Sequence, residues 1–286
     1  MKLNPDCLPR CLPGLLALAV LLPGAARADD CDQLARQAQQ SEQFRSALKA
    51  CPRDYTLRYR YGLHLLQNER FAEADAALRE ADSLLDAASG DYAANHLQVT
   101  ARQVQNLWYW GKRGEAVAMM KSVLEYRRKK SLSLPSWVQQ LQRTLDDGMD
   151  SKPLNASEMR GMVKSARAFG VEGVSVEYRN KFDYDSDHVT DEGKRLLEQV
   201  AAGFAGVEGR IRVVGHTDTQ GDASYNRKLS ERRAGAVREA LLRLDASLAN
   251  RLSAEGKGES EPRYPGDGEE DHRLNRRVEF VLDGKS

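Results

Sequence analysis

Arg233 is a charged residue inside an apolar stripe. Over a predicted helix spanning about 223–244, Leu229, Val237, Ala240, Leu241 and Leu244 recur at helical spacing, and Arg233 falls among them, facing the core side. A guanidinium cannot be left unpaired in a desolvated setting, so it needs a carboxylate from the protein or from a ligand. Asp218, just past a predicted strand that ends at His216, is the natural candidate. It stands in the turn leading into the helix, where Gly221 permits the bend and backbone N–H groups attract anions. Such a pair forms either an internal salt bridge or a site for a charged ligand.

Other chemistries have less to work with. His64, His96, His188, His216 and His272 include no H-E-x-x-H pair and no ligand cluster, so no metal site is expected. His216, Asp218 and Ser230 are the residue types of a catalytic triad, yet no G-x-S-x-G elbow accompanies them, and His216 reads as structural. No Walker loop or G-x-G-x-x-G occurs, so no nucleotide or other cofactor is expected, and the chain is read as non-enzymatic.

The elements that must position Asp218 and Arg233 follow from periodicity. Val174, Val176 and Tyr178 alternate as a strand, a helix follows over about 190–204, and Ile211, Val213 and Gly215 mark a second strand. After the Arg233 helix, residues 252–256 form a short strand and Val278, Phe280 and Leu282 the last one. The result is an α+β domain of order β-α-β-α-β-β over 171–286.

Its local sequence is specific. Gly215-His216-Thr217-Asp218-Thr219-Gln220-Gly221, Tyr225-Asn226, Leu229-Ser230, Arg232-Arg233-Ala234 and Asn275-Arg276-Arg277-Val278-Glu279-Phe280 closely resemble the OmpA-like peptidoglycan-binding domain. The resemblance covers roughly 174–282. It implies that Asp218 and Arg233 clamp the zwitterionic end of diaminopimelate in the cell-wall stem peptide. A carboxylate accepts bonds from an ammonium, and a planar guanidinium grips a carboxylate with two parallel bonds. By the same resemblance Asn226, Thr217 and Arg276 are second-tier contacts. Phe182-Asp183-Tyr184-Asp185 matches the family's first-strand motif, where Asp185 either meets the ligand amine or caps the following helix.

Residues 29–145 read as all-α. Glycine is scarce, and Phe44, Leu48, Leu63, Leu66, Phe71, Ala74, Leu78 and Ala81 recur at helical spacing. Tyr61-Gly62, Leu65, Phe71, Ala74, Leu78 and Ala81 resemble a tetratricopeptide repeat, in which small residues let paired helices approach closely. A partial repeat ending near Pro52 precedes it, and a third pair is expected over 96–126, where Trp108 and Trp110 serve packing. Such an array implies an envelope protein or peptide as partner; alternatively the helices are a spacer. The run Arg127-Arg128-Lys129-Lys130 reads as a solvated helix end favoured by the helix dipole. Asp146-Asp147-Gly148 and Lys152-Pro153 place a linker over 146–170.

Address and charge complete the reading. Lys2 and Arg10, an apolar core over 12–22 and Ala26-Arg27-Ala28 have the layout of a signal peptide over residues 1–28. That core is short of the roughly 20 residues that span a bilayer, and no later stretch reaches that length, so no direct transmembrane segment is expected. The expected location is the periplasm, peptidoglycan-associated and at the outer membrane. Cys31 and Cys51 remain after the signal and suit a disulfide. With 43 Lys+Arg against 42 Asp+Glu there is no global basic field, and nucleic acid is not an expected partner. The resulting expectation is a multidomain, wall-tethered helical adaptor; the rival reading is a wall hydrolase or its activator, which would need a positioned acid and base or a metal.

Overall fold

A computed structural model of the 286-residue chain describes residues 28–169, 174–179, 182, 186–205 and 207–283. The signal-peptide segment therefore lies outside the described residues, apart from its last residue. The chain divides into two compact units, 1–106 and 107–286.

The first unit holds α1 (Ala28–Gln37), α2 (Ser41–Ala50), α3 (Tyr55–Gln67), α4 (Phe71–Ser83) and most of α5 (Tyr92–Tyr109). A disulfide joins Cys31 in α1 to Cys51 at the end of α2, and both cysteines are buried beside Ala35, Phe44, Leu48 and Leu57. Asp54 caps α3, its carboxylate accepting a hydrogen bond from Leu57 N at 2.6 Å. The α3–α4 pair packs as the repeat pattern requires: a Cβ on Gly62 would stand 2.9 Å from Leu78 Cδ2, and Ala74, Leu78 and Ala81 are fully buried.

The second unit opens with α6 (Arg113–Lys129), α7 (Ser136–Ser151) and α8 (Ala156–Ala168). Then come β1 (Val174–Arg179), α9 (Asp191–Phe204), β2 (Arg210–His216), α10 (Ala223–Leu244), β3 (Leu252–Gly258), α11 (Glu269–Asn275) and β4 (Arg277–Asp283). The sheet order is β1-β4-β2-β3, with β4 antiparallel to both neighbours and β2 parallel to β3. The strand and helix order expected from sequence is present, with α11 added before the last strand.

The structure departs from the linker expected over 146–170. That stretch holds the end of α7 and all of α8, and α6 belongs to the second unit rather than to the repeat array. The breaker residues mislead because each answers to packing. Gly148 sits under Trp108, whose ring would lie 2.3 Å from an added Cβ. Asn155, which formally fits a glycosylation acceptor with Ala156-Ser157, caps α8 and forms a reciprocal box with Glu158. Met149, Leu154, Met159, Met162 and Ala166 then join Val176, Phe204, Val213 and Phe280 in one core, where Phe204 and Phe280 meet edge to face at 5.7 Å.

Helix α10 lies close against β2 and β3 because glycines line the contact. A Cβ on Gly215 would approach Ser230 O to 2.3 Å, and one on Gly256 would approach Glu231 N to 2.4 Å. Ser230 Oγ accepts a bond from Gly258 N at 2.8 Å and donates to Arg227 O at 2.7 Å, so the buried hydroxyl is satisfied on both sides. Gly215→Ala is expected to lower stability by about 1–3 kcal/mol or more, because backbone rather than a flexible side chain must give way. Urea unfolding monitored by circular dichroism would measure it, and an unchanged midpoint would contradict the close-approach account.

Candidate functional site

The β2 strand delivers Thr217 and Asp218 to the mouth of the sheet. Thr217 N donates to Gly258 O at 3.0 Å, and Asp218 Oδ1 accepts from Gln220 N at 3.1 Å in an Asx turn. Gly221 adopts φ of +94°, the left-handed region that glycine enters without penalty. Asp222 then caps α10, accepting from Tyr225 N at 2.9 Å and from Ser224 Oγ at 2.6 Å. The Ser224 hydroxyl first, and then the Tyr225 N–H, hold the Asp222 carboxyl below the usual range. The helix N-terminus that was expected to attract an anion thus has a protein carboxylate already seated on it.

Asp218 is buried, with 8% of its surface exposed. Its Oδ2 accepts from Arg276 Nη1 at 2.6 Å, and Arg276 Nη2 donates to Glu269 Oε1 at 2.8 Å. Burial works against the Arg276 charge, but Glu269 and Asp218 outweigh it and raise its pKa. Arg276, expected as a second-tier contact, therefore bears directly on Asp218. Asn226 Nδ2 sits behind the turn, donating to Gln220 O at 3.0 Å, Glu259 Oε2 at 2.6 Å and, more weakly, Asp218 O at 3.4 Å. Thr217 is buried, and its Oγ1 has no hydrogen-bond partner among the described residues.

Arg233 reaches the same region from α10. Its Nε donates to Ser186 O at 2.9 Å, and its guanidinium lies 5.0 Å from the Phe182 ring centroid. Arg233, Arg276 and Arg277, with Phe182 and His216, line a cavity of about 10 Å³, room for about one water. Asp185 lies outside the described residues. The structure thus brings Thr217, Asp218, Asn226, Arg233 and Arg276 to one end of the sheet. Cys31 and Cys51 are joined in the other unit.

Three participants escape the sequence reading: Glu259, Glu269 and the Ser186 carbonyl. Glu269 had a signal, because Glu269-Glu270-Asp271 after Gly268 followed by His272-Arg273 is the charge order of a short helix. Among the described residues no group of three or more His, Cys, Asp or Glu side chains is placed to hold a metal ion. His216 is almost fully buried, with Nε2 at 3.9 Å from Glu279 Oε2.

The result is an α+β domain whose four-stranded mixed sheet presents a buried carboxylate and three guanidiniums at one end. Residues 181–276 match the OmpA family. The chain is 39% identical to outer membrane protein A of Bordetella avium over 104 residues, 36% of this chain and 53% of that protein. It is 38% identical to the peptidoglycan-associated lipoprotein of Pseudomonas aeruginosa over 99 residues, 35% of this chain and 58% of that one. The chain thus spans little more than half the length of these relatives. A solved structure of the cell wall anchor of the T6SS from Pseudomonas aeruginosa is 31% identical, covering 47% of this chain and 99% of that chain with a TM-score of 0.39.

Burial pushes the His216 pKa below the usual histidine range, against the opposing pull of Glu279. The unfolded chain then binds a proton that the folded chain refuses. Stability from this residue is complete above about pH 6.5 and is lost as pH falls below that value toward the folded pKa. Unfolding free energies measured between about pH 7 and pH 5 should therefore decline, with a shallower slope in His216→Gln; equal slopes would remove His216 from the account.

Proposed function

We propose that the C-terminal unit binds peptidoglycan without covalent chemistry, through the diaminopimelate residue of the stem peptide. What carries this reading is the buried Asp218 paired with Arg276 beside the cavity lined by Arg233, Arg276 and Arg277, inside the segment that matches the OmpA family. The D-centre of diaminopimelate offers an ammonium and a carboxylate on one carbon. The ammonium would take Asp218 as acceptor, and the carboxylate would take Arg233, with Arg276 turning from Asp218 to share it. Asn226 and Thr217 shape the turn that presents Asp218, and Thr217 Oγ1 offers an unused hydrogen-bonding group.

The affinity is modest by construction. Each charge-assisted bond contributes about 1.5–3 kcal/mol, but the ligand must first displace the Asp218–Arg276 pair. Retention on polymeric wall then comes from rebinding at many equivalent sites. The names of the relatives support placing the protein in the periplasm at the cell wall, close to the outer membrane. Among the described residues no helix is long and apolar enough to cross a membrane. In the same reading the repeat-like helices of the first unit recruit an envelope protein or peptide, and the protein is a tethered adaptor rather than an enzyme.

Co-sedimentation of residues 29–286 with purified diaminopimelate-type sacculi tests the site. The wild-type protein should pellet, and Asp218→Ala and Arg233→Ala, each confirmed as folded by circular dichroism, should bind at least about tenfold more weakly. Free diaminopimelate should compete, whereas lysine-type sacculi should not retain the protein. Pelleting by both folded variants would remove the clamp, and release of soluble muropeptides during the incubation would replace the binding reading with a hydrolytic one.

A further inference from the structure

We propose that a second cleft in the C-terminal unit docks an acidic peptide segment of a partner protein, anchored by a large apolar side chain. The cleft measures about 470 Å³ and lies between α6, α7 and the sheet, with Ser175 of β1 and Glu279 of β4 on its far wall. That volume falls within the roughly 300–1,000 Å³ of ligand-holding clefts. It is separate from the Asp218 cavity and does not depend on wall binding.

The lining states what the occupant must offer. Met120, Leu145 and Met149 form an apolar floor, with Leu124 beside them. Thioether side chains adapt to different apolar partners, so this floor accepts a leucine-sized or aromatic anchor. Three carboxylates of the lining, Asp146, Glu261 and Glu279, already have protein cations. Asp146 accepts from Arg263 Nη2 at 2.8 Å and from the Tyr264 hydroxyl, Glu279 lies 3.3 Å from Arg277, and Glu261 lies 3.4 Å from Lys257. A peptide backbone carries N–H donors that carboxylates accept, and a bare acyl chain carries none.

The rim supplies the charge preference. Lys121 and Glu125 stand one turn apart on α6 and offset each other's formal charge. Arg127 and Arg128 follow in the last turn, exposed to solvent, and Arg127 Nε donates to Leu132 O at 2.9 Å. Lys129 and Lys130 extend the same field. The basic run that reads as a solvated helix end therefore borders an apolar-floored cleft, and the complementary ligand is an acidic residue next to a large apolar one.

Fluorescence anisotropy on the full chain tests this, using a labelled, end-capped Asp-Leu-Asp-Leu-Asp peptide as probe, with Lys-Leu-Lys-Leu-Lys and sodium dodecanoate as comparators. The acidic peptide should bind at least about tenfold more tightly than the basic one, and the preference should weaken with salt. Arg127→Glu combined with Arg128→Glu, both at exposed positions, should reverse the preference. Leu124→Trp, which fills the cleft, should block the acidic peptide, while Asp218→Ala should leave its binding unchanged. The proposal fails if the acidic peptide does not bind at millimolar concentration, if charge reversal leaves its affinity unaltered, or if dodecanoate binds where the peptide does not.

Discussion

The close contact between α10 and strands β2 and β3 is the constraint on which the rest of the C-terminal unit depends. Backbone meets backbone at Gly215, Gly256 and Gly258, where an added Cβ would lie 2.3–3.0 Å from its neighbour. Because the helix rests directly on the strands, Asn226 and Arg233 of α10 have fixed positions relative to Asp218 at the end of β2. Ser230 closes the contact by filling a buried donor and a buried acceptor with one hydroxyl. The motif that carries the family resemblance is thus largely a packing motif, and the charged residues lie where that packing puts them.

The charged end of the sheet is balanced internally. Asp218 and Glu269 share Arg276, Glu259 holds Asn226, and Arg277 faces Glu279. A buried pair of this kind contributes little net stability, since desolvation offsets most of the attraction, but each partner is costly to leave alone. Under the proposed function, a ligand that carries both charges would replace both halves of the pair at once, whereas one with a single charge would leave a protein group buried and unanswered, which is the physical basis the proposal offers for selecting a zwitterion.

Helices α6 to α8 belong to the same body as the sheet. Met159 packs against Gly203 of α9, a Cβ on Gly114 of α6 would meet Glu158 O of α8 at 2.0 Å, and Arg143 and Asp146 of α7 bond Asp271, Arg263 and Tyr264. Asn275 fastens the same loop from the other side, accepting from Arg263 N and Tyr264 N and donating to Tyr264 O. The loop that leads to α11, and through it to Glu269 and Arg276, is thus braced by helices that precede the family-matching segment in sequence.

Local pattern alone determined the α and α+β halves and the order of strands and helices around Asp218, because periodicities of 3.6 and 2.0 and turn residues are written in short stretches of chain, whereas Thr217, Asn226 and Arg276 were named only by the family resemblance. The small-residue contact of α3 with α4 was legible for the same reason. Tertiary structure decided what local pattern could not. Gly148, Pro153 and Asn155 carry the marks of a linker, yet they serve a tryptophan contact, a helix junction and a cap, and only the surrounding core distinguishes these uses. The choice of Arg276 as the partner seated on Asp218 is likewise nonlocal: 58 residues separate the two, and their meeting depends on β4 entering the sheet beside β2. Pairing of charges across such distances is set by topology, which no short stretch of sequence contains.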